Sequence, residues 1–289
     1  MIGIDWGTTS ARAYRLGAGI MERREAGRGI LRIEPGGFPA ALGELVGDWI
    51  AAGERRVLLA GMVGSRQGWV EAPYLPCPAG LDGLAQALLP IPFAGAEVLL
   101  VPGLSAVDAD GVPEVMRGEE VQVLGSAPGP DALLCLPGTH AKWVRLTGGQ
   151  VERFTTAMTG EVFAAMRGHT ILGRMMTGEA APGAAFAAGV ARAGKTGGLL
   201  HHLFGVRTLG LMGRLPETDA ASYLSGLLIG HEIVASLPAG SSVQLVGTGP
   251  LMALYAAAIG QLGGEPVLGD ADAAARGLAM IGERAAWTS

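Results

Sequence analysis

The first sixteen residues, MIGIDWGTTSARAYRL, restrict what this chain can fold into more than any other stretch. Ile2 and Ile4 are apolar, and Asp5-Trp6-Gly7-Thr8-Thr9-Ser10 forms a small polar segment. Ala11, Ala13 and Leu16 then resume an apolar pattern interleaved with Arg12 and Arg15. The pattern predicts a strand, a tight turn and a second strand. Gly7 lets the backbone approach an anion closely, and its neighbours bring N–H groups and hydroxyls, a composition suited to phosphate. Asp5, at the end of the first strand, can hold a hydrated divalent cation, because hard cations take carboxylate oxygens. The same residues equally suit a plain hairpin whose Asp and Thr side chains satisfy their own turn.

The rest of the composition bounds the function. With 289 residues, 49% hydrophobic and only 16% charged, the chain can build two domains or one large one around a sizeable core. A net charge of −5 argues against a nucleic-acid binder that lives on phosphate neutralisation. Cys77 and Cys135 lack metal-type spacing and predict reduced thiols in a cytoplasmic protein. A strand starting at the first residues leaves no room for a signal peptide. The uncharged span from Ser241 to Gly264 contains Gly247-Thr248-Gly249-Pro250, which breaks it into strand, turn and helix rather than a membrane span.

Along the chain, strands are expected at 2–6, 10–16, 19–26, 57–60 and 96–101. Helices are expected near 38–52 and 80–89, with a loop to Pro113 and a helix through Glu119 and Glu120. From Ala132 the pattern begins again, with strands at 133–136, 141–146 and 151–155. Helices fill most of 159–237, and strand 243–247, helix 250–262, strand 266–268 and helix 271–285 follow. Strands alternating with helices predict an α/β protein. Gly138-Thr139-His140-Ala141-Lys142 mirrors the first turn: each follows a buried strand, has Gly-Thr in the turn, and places a cation on the next strand.

At this point the residues carry a resemblance. The Asp-x-Gly-Thr-Thr hairpin, the second Gly-Thr hairpin and the late Gly-x-Gly turn resemble the sugar kinase, actin and heat-shock chaperone superfamily. Within it the chain is similar to the 2-dehydro-3-deoxygalactonokinase family. The matching pieces are Ile4 to Thr9, Ala60 to Ser65 with Gly68-Trp69, Ala72-Pro73-Tyr74 and Val115 to Glu120. Pro137 to His140 with Lys142 to Val144, Met158-Thr159-Gly160-Glu161 and Leu224 to Gly230 continue the match.

The resemblance implies an actin-like ATPase fold of two ribonuclease-H-like domains with an interdomain cleft. Residues 1–123 would bind the sugar acid and residues 124–289 the nucleotide. It implies phosphorylation of the 6-hydroxyl of 2-dehydro-3-deoxy-D-galactonate by ATP and Mg²⁺. The partner would be a small sugar acid, not nucleic acid or a membrane, with a homodimer left open. Gly7, Thr8, Thr9 and Ser10 would meet the terminal phosphates, with Gly138, Thr139 and His140 approaching from the other domain. Arg12 and Lys142 would be charge partners, and Asp5 would hold Mg²⁺ through water. Gly247, Thr248 and Gly249 would form the nucleotide-side turn opening a helix.

Related carbohydrate kinases carry a Gly-Asp-Gln before a helix, which here reads Gly118-Glu119-Glu120. Glu119 would then be the base, one methylene longer; a Glu pair at a helix start also simply suits the helix dipole. For the substrate the candidates are Trp6, Gly64, Ser65, Arg66, Trp69, Tyr74 and Arg117, with the Arg66 fork matched to a carboxylate or merely solvated. Two other motifs are set aside. Gly189 to Thr196 has P-loop spacing, but Ala184 to Ala193 reads as helix where a P-loop needs a strand. Gly247 to Met252 begins like a dinucleotide fingerprint without its third Gly. The competing readings are a kinase for another sugar acid such as 2-dehydro-3-deoxygluconate, and a nucleotide-dependent conformational protein of the same superfamily.

Overall fold

A computed structural model describes residues 1–126 and 129–288. The chain opens with β1 (Ile2–Trp6), β2 (Ala11–Leu16) and β3 (Ile20–Ala26), then α1 (Phe38–Ala51), β4 (Arg56–Ala60) and β5 (Tyr74–Pro76). Next come α2 (Leu81–Gln86), β6 (Leu89–Ile91), β7 (Glu97–Leu100), β8 (Gly103–Val107), β9 (Pro113–Met116) and α3 (Glu119–Ser126). The pattern restarts with β10 (Ala132–Leu136), β11 (Ala141–Thr147) and β12 (Gln150–Ala157). Helices α4 (Thr159–His169), α5 (Ala184–Ala193), α6 (Gly198–Leu211) and α7 (Glu217–Ser236) follow. The chain closes with β13 (Ser242–Leu245), α8 (Pro250–Gln261), β14 (Glu265–Leu268) and α9 (Ala273–Gly282).

The repetition read in the two Gly-Thr turns extends to sheet topology. One sheet runs β3-β2-β1-β4-β7-β6 and another β12-β11-β10-β13-β14, so five strands in each follow the same order. In the first, β1 pairs antiparallel with β2 and parallel with β4, because a tight turn can only reverse the chain whereas α1 carries it back as a crossover. In the second, β10 pairs parallel with β13 and β13 with β14.

The chain divides into two compact units that are not contiguous in sequence. The first comprises Met1–Ala132, Val144–Phe154 and Asp270–Ser289, and the second Leu133–Trp143 and Thr155–Gly269. In the first unit Ile2 and Ile4 of β1 point to the side of the sheet covered by α1, whose Phe38, Ala41, Leu42, Val46, Trp49 and Ile50 recur at helical spacing. Gly3 points the other way, and a Cβ there would lie 3.0 Å from Leu278 of α9. In the second unit Phe186 and Val190 of α5, Ile229 and Ile233 of α7, and Tyr255 and Ile259 of α8 share a core with Val243 and Leu245.

Two expectations are corrected. The loop expected up to Pro113 is the β8–β9 hairpin, which joins β5 in a three-stranded sheet. Its turn is an Asp device: the Asp108 carboxylate accepts the Asp110 and Val112 N–H groups at 2.9 and 2.8 Å. The helix expected over 80–89 ends at Gln86, and Leu89–Ile91 continues as an edge strand antiparallel to β7.

The first glycine of the P-loop-like string Gly189 to Thr196 serves helix packing. Gly189 lies inside α5, where a Cβ would come within 2.2 Å of the Tyr223 carbonyl oxygen on α7. At Gly226 of α7 a Cβ would meet the Phe186 carbonyl at 2.1 Å. These glycines let two helices touch backbone to backbone. No helix among the described residues is long and apolar enough to cross a membrane.

Candidate active site

In the first unit two loops converge on the Asp5 carboxylate. Gly61, directly after β4, has φ +93°, and a Cβ there would meet the Trp6 carbonyl oxygen at 2.8 Å and Asp5 Oδ1 at 3.2 Å. Gly118, directly before α3, has φ +102°, and its Cβ would lie 3.0 Å from the Gly61 Cα. Both positions need glycine for backbone geometry as well as space. Burial pushes the Asp5 carboxyl up to about 6, opposed by the Arg12 guanidinium across the β1–β2 pair and reinforced by the Glu119 charge. Glu119 therefore acts electrostatically on the same point as Asp5.

The Gly7-Thr8-Thr9-Ser10 turn is closed by the Gly7 N–H donating to the Ser10 carbonyl at 2.9 Å. The carbonyls of Gly7, Thr8 and Thr9 accept the N–H groups of Ile30, Leu31 and Gly29 at 3.1, 3.3 and 3.0 Å. That leaves Thr8 and Thr9 on the surface with their backbone held. Arg12 is half-exposed and 3.4 Å from Glu25.

The two glutamates at the start of α3 have different surroundings. Glu119 is half-buried and accepts the Arg117 backbone N–H at 2.9 Å. Glu120 is fully buried; its Oε2 accepts the Gly118 N–H at 2.7 Å and its Oε1 has no hydrogen-bond partner. Burial, and next the Glu119 charge, hold the Glu120 carboxyl well above the usual carboxylate range. Its burial was not readable from the local sequence, since neighbouring residues on a helix start differ only in which way they face.

Beside them lies a buried cation. The Arg117 side chain is 7% exposed, its Nη2 donates to the Ala72 carbonyl at 2.7 Å, and its guanidinium lies 4.3 Å from the Tyr74 ring centroid. Nε and Nη1 have no hydrogen-bond partner, nor does the buried Ser65 hydroxyl. Gly64 lets the guanidinium in, for a Cβ there would be 3.1 Å from Nη1. Arg66, by contrast, is 87% exposed and 3.4 Å from Glu71. Trp6 is a core residue, edge-on to Phe38 and donating its Nε1–H to the Arg28 carbonyl. Trp69 stacks on Phe38.

In the second unit the Gly138-Thr139-His140 turn follows buried Leu134, Cys135 and Leu136, as the first turn follows β1. The Thr139 carbonyl accepts the Glu161 N–H at 3.0 Å, and His140 Nε2 lies 2.5 Å from Glu161 Oε2. Lys142 is buried, with Nζ 3.4 Å from the His140 carbonyl. Gly247 and Gly249, at φ +143° and +88°, flank exposed Thr248 in the turn that starts α8.

The two repeated α/β units with their Gly-Thr turns define a protein of the actin-like ATPase and sugar kinase fold class. The activator of 2-hydroxyisocaproyl-CoA dehydratase from Clostridium difficile shares that fold at TM-score 0.50 and 13% identity, covering 98% of this chain and 95% of its own. The family model described as 2-keto-3-deoxy-galactonokinase matches residues 5–281, and the chain belongs to that family. The probable 2-dehydro-3-deoxygalactonokinase of Rhizobium meliloti is 38% identical, covering 98% of this chain and 96% of its own length. The 2-dehydro-3-deoxygalactonokinase of Escherichia coli is 38% identical over 81% of this chain and 79% of its own. The crystal structure of a candidate 2-dehydro-3-deoxygalactonokinase from Sinorhizobium meliloti superposes at TM-score 0.90 with 37% identity, covering 100% of this chain and 99% of that one.

Proposed function

We propose that this chain is an ATP-dependent kinase that phosphorylates the 6-hydroxyl of 2-dehydro-3-deoxy-D-galactonate. Family membership supports the reaction class, and one structural observation supports an acid substrate: the buried Arg117 guanidinium, whose Nε and Nη1 have no hydrogen-bond partner. A buried cation with open donors is complementary to a carboxylate, which Arg takes in a planar fork. Arg117, Ser65, Gly64 and Tyr74 bind the acid end in this reading, and Arg66 stays in solvent.

Phosphoryl transfer needs positioning and charge neutralisation more than covalent chemistry. Thr8, Thr9 and Ser10 in the first unit, and Gly138, Thr139 and His140 in the second, offer donors to phosphate oxygens. Arg12 and Lys142 supply positive charge, and Gly247 to Gly249 present the start of α8 to the nucleotide. The donor set fits Mg²⁺ held chiefly by phosphate and water. Asp5 stands directly before the first turn, and one protein carboxylate completed by phosphate and water oxygens is a ligand set that suits Mg²⁺. Bound there, Mg²⁺ supplies charge neutralisation to the phosphates. Glu119, fixed by the Arg117 N–H, accepts the proton of the attacking hydroxyl. The same reading places the protein in the cytoplasm, consistent with unpaired Cys77 and Cys135.

The test is ADP release with ATP and Mg²⁺ across a panel of 2-keto-3-deoxy acids and aldonic acids. Turnover with 2-dehydro-3-deoxygalactonate is expected, and faster turnover of the gluco epimer would reassign the substrate. Turnover independent of any acid would favour a nucleotide-driven conformational protein.

A further inference from the structure

The segment Met158-Thr159-Gly160-Glu161 and the helix α7 carry no role in the chemistry just described, yet they meet behind the second Gly-Thr turn. Gly160 packs directly on that turn: a Cβ there would lie 2.5 Å from the Gly138 carbonyl oxygen and 2.7 Å from the Thr139 Cα. The next residue, Glu161, donates its N–H to the Thr139 carbonyl at 3.0 Å. The first turn of α4 therefore sets where Gly138 and Thr139 sit.

What holds that first turn is a carboxylate. Glu232 of α7 is 7% exposed and accepts three hydrogen bonds: from Trp143 Nε1–H to Oε1 at 2.7 Å, from the Tyr255 hydroxyl to Oε2 at 2.7 Å, and from the Thr159 hydroxyl to Oε2. All three partners are donors, so the site is built for an acceptor on both oxygens. Burial raises the Glu232 pKa, and the three donors oppose that rise. Close packing does not replace this link, because an apolar cavity of about 70 Å³ lies against Gly138, Thr159 and Gly160, bounded by Phe163, Leu228 and Tyr255.

We infer that Glu232, acting through the Thr159 hydroxyl, is a positioning residue for the phosphate-binding turn Gly138-Thr139-His140. The inference rests on the reading of that turn as a phosphate site. Glu232 touches no substrate; it fixes Thr159, Thr159 fixes the start of α4, and α4 fixes the turn through Gly160 and the Glu161 N–H. The sequence separation of 73 residues between Thr159 and Glu232 hides the link from any local reading.

The experiment measures ATP binding by calorimetry without the sugar acid, together with steady-state kinetics and thermal melting of the full chain. Thr159→Val removes the hydroxyl and keeps the shape. It is expected to weaken ATP binding about tenfold, the scale of a lost charge-assisted hydrogen bond, while KM for the sugar acid stays within about twofold. Thr159→Ser keeps the hydroxyl and is expected to restore ATP binding. Glu232→Gln leaves one acceptor oxygen for three donors and should match Thr159→Val; the double variant should be no weaker than the worse single, because both break one link. Unchanged ATP affinity in folded Thr159→Val overturns the inference, as does equal weakening in Thr159→Ser. Loss of fold in both Thr159→Val and Glu232→Gln would make the link a folding element and also overturn it. If wild type binds ATP but phosphorylates no sugar acid, the kinase reading fails while this inference is decided by the binding data alone.

Discussion

Arg117 and Arg66 stand on neighbouring loops, and burial separates their roles. A guanidinium in solvent beside Glu71 gains little from one more partner, since exposed ion pairs contribute about 0–1 kcal/mol. The buried, partly unpartnered Arg117 gains a charge-assisted pair of about 1.5–3 kcal/mol. Arg117→Ala is therefore expected to raise KM for the sugar acid by about ten- to a hundredfold while KM for ATP holds, and Arg66→Ala to leave both nearly unchanged. Steady-state kinetics on the two variants decides between them.

Glu119 and Glu120 separate in the same way. Glu119→Gln removes proton acceptance and should lower kcat by about 10²–10⁴-fold with little change in KM. Burial raises the Glu120 carboxyl above the usual carboxylate range, so the neutral amide of Gln is a close replacement and Glu120→Gln should keep most of kcat. Its effect is on stability against pH. A carboxyl whose folded pKa is raised contributes fully below its unfolded value near 4.5, and that contribution is lost as pH rises through the folded value. The groups that face it are the Glu119 carboxylate and the Arg117 cation. Relative to wild type, the Glu120→Gln melting temperature should climb between pH 5 and pH 8. A difference independent of pH would place an ionised carboxylate at Glu120.

Among elements, the contact of α5 with α7 depends on single glycines. Gly226 brings its Cα against the Phe186 carbonyl, and the 2.1 Å approach of an added Cβ forces the helices apart. Overpacking of this kind costs about 1–3 kcal/mol or more. Gly226→Ala should lower the melting temperature by several degrees, read by calorimetry, with Lys195→Ala as the contrast. Lys195 lies in a P-loop-like string whose first five residues, 189–193, are helix where a P-loop needs a strand and loop, so its loss should leave ATP binding intact. The β8–β9 hairpin shows the limit of reading elements locally. Gly103–Val107 and Pro113–Met116 are short, open on Gly and Pro, and carry little strand signal; their pairing with each other and with Tyr74–Pro76 makes them a sheet.

For the whole molecule, the first unit is completed by residues from far along the chain. Its sheet is covered on the Gly3 side by Leu278 of α9. Ala79 and Val151 exchange both backbone hydrogen bonds, at 3.1 and 2.8 Å. A fragment of residues 1–123 lacks both supports. It is expected to show no cooperative unfolding, whereas the full chain does; a sharp transition in the fragment would show that a single cut near residue 123 separates self-sufficient domains.

The strands of the two larger sheets except Leu89–Ile91, the two Gly-Thr turns, the helix at Glu119 and the α/β class were legible in the sequence. Each rests on local physics: alternation of side chains, glycine in a tight turn, helical spacing of apolar residues. The repeat of the two turns was legible too, whereas the shared five-strand order of the two sheets came from the structure. What tertiary structure alone decided was environment. Arg117 is buried and Arg66 is not, Glu120 is buried beside half-exposed Glu119, and Trp6 is core. Glu232 reaches Thr159 across 73 residues. Each depends on desolvation by segments distant in sequence, and desolvation, unlike backbone propensity, leaves no mark on the residues nearby.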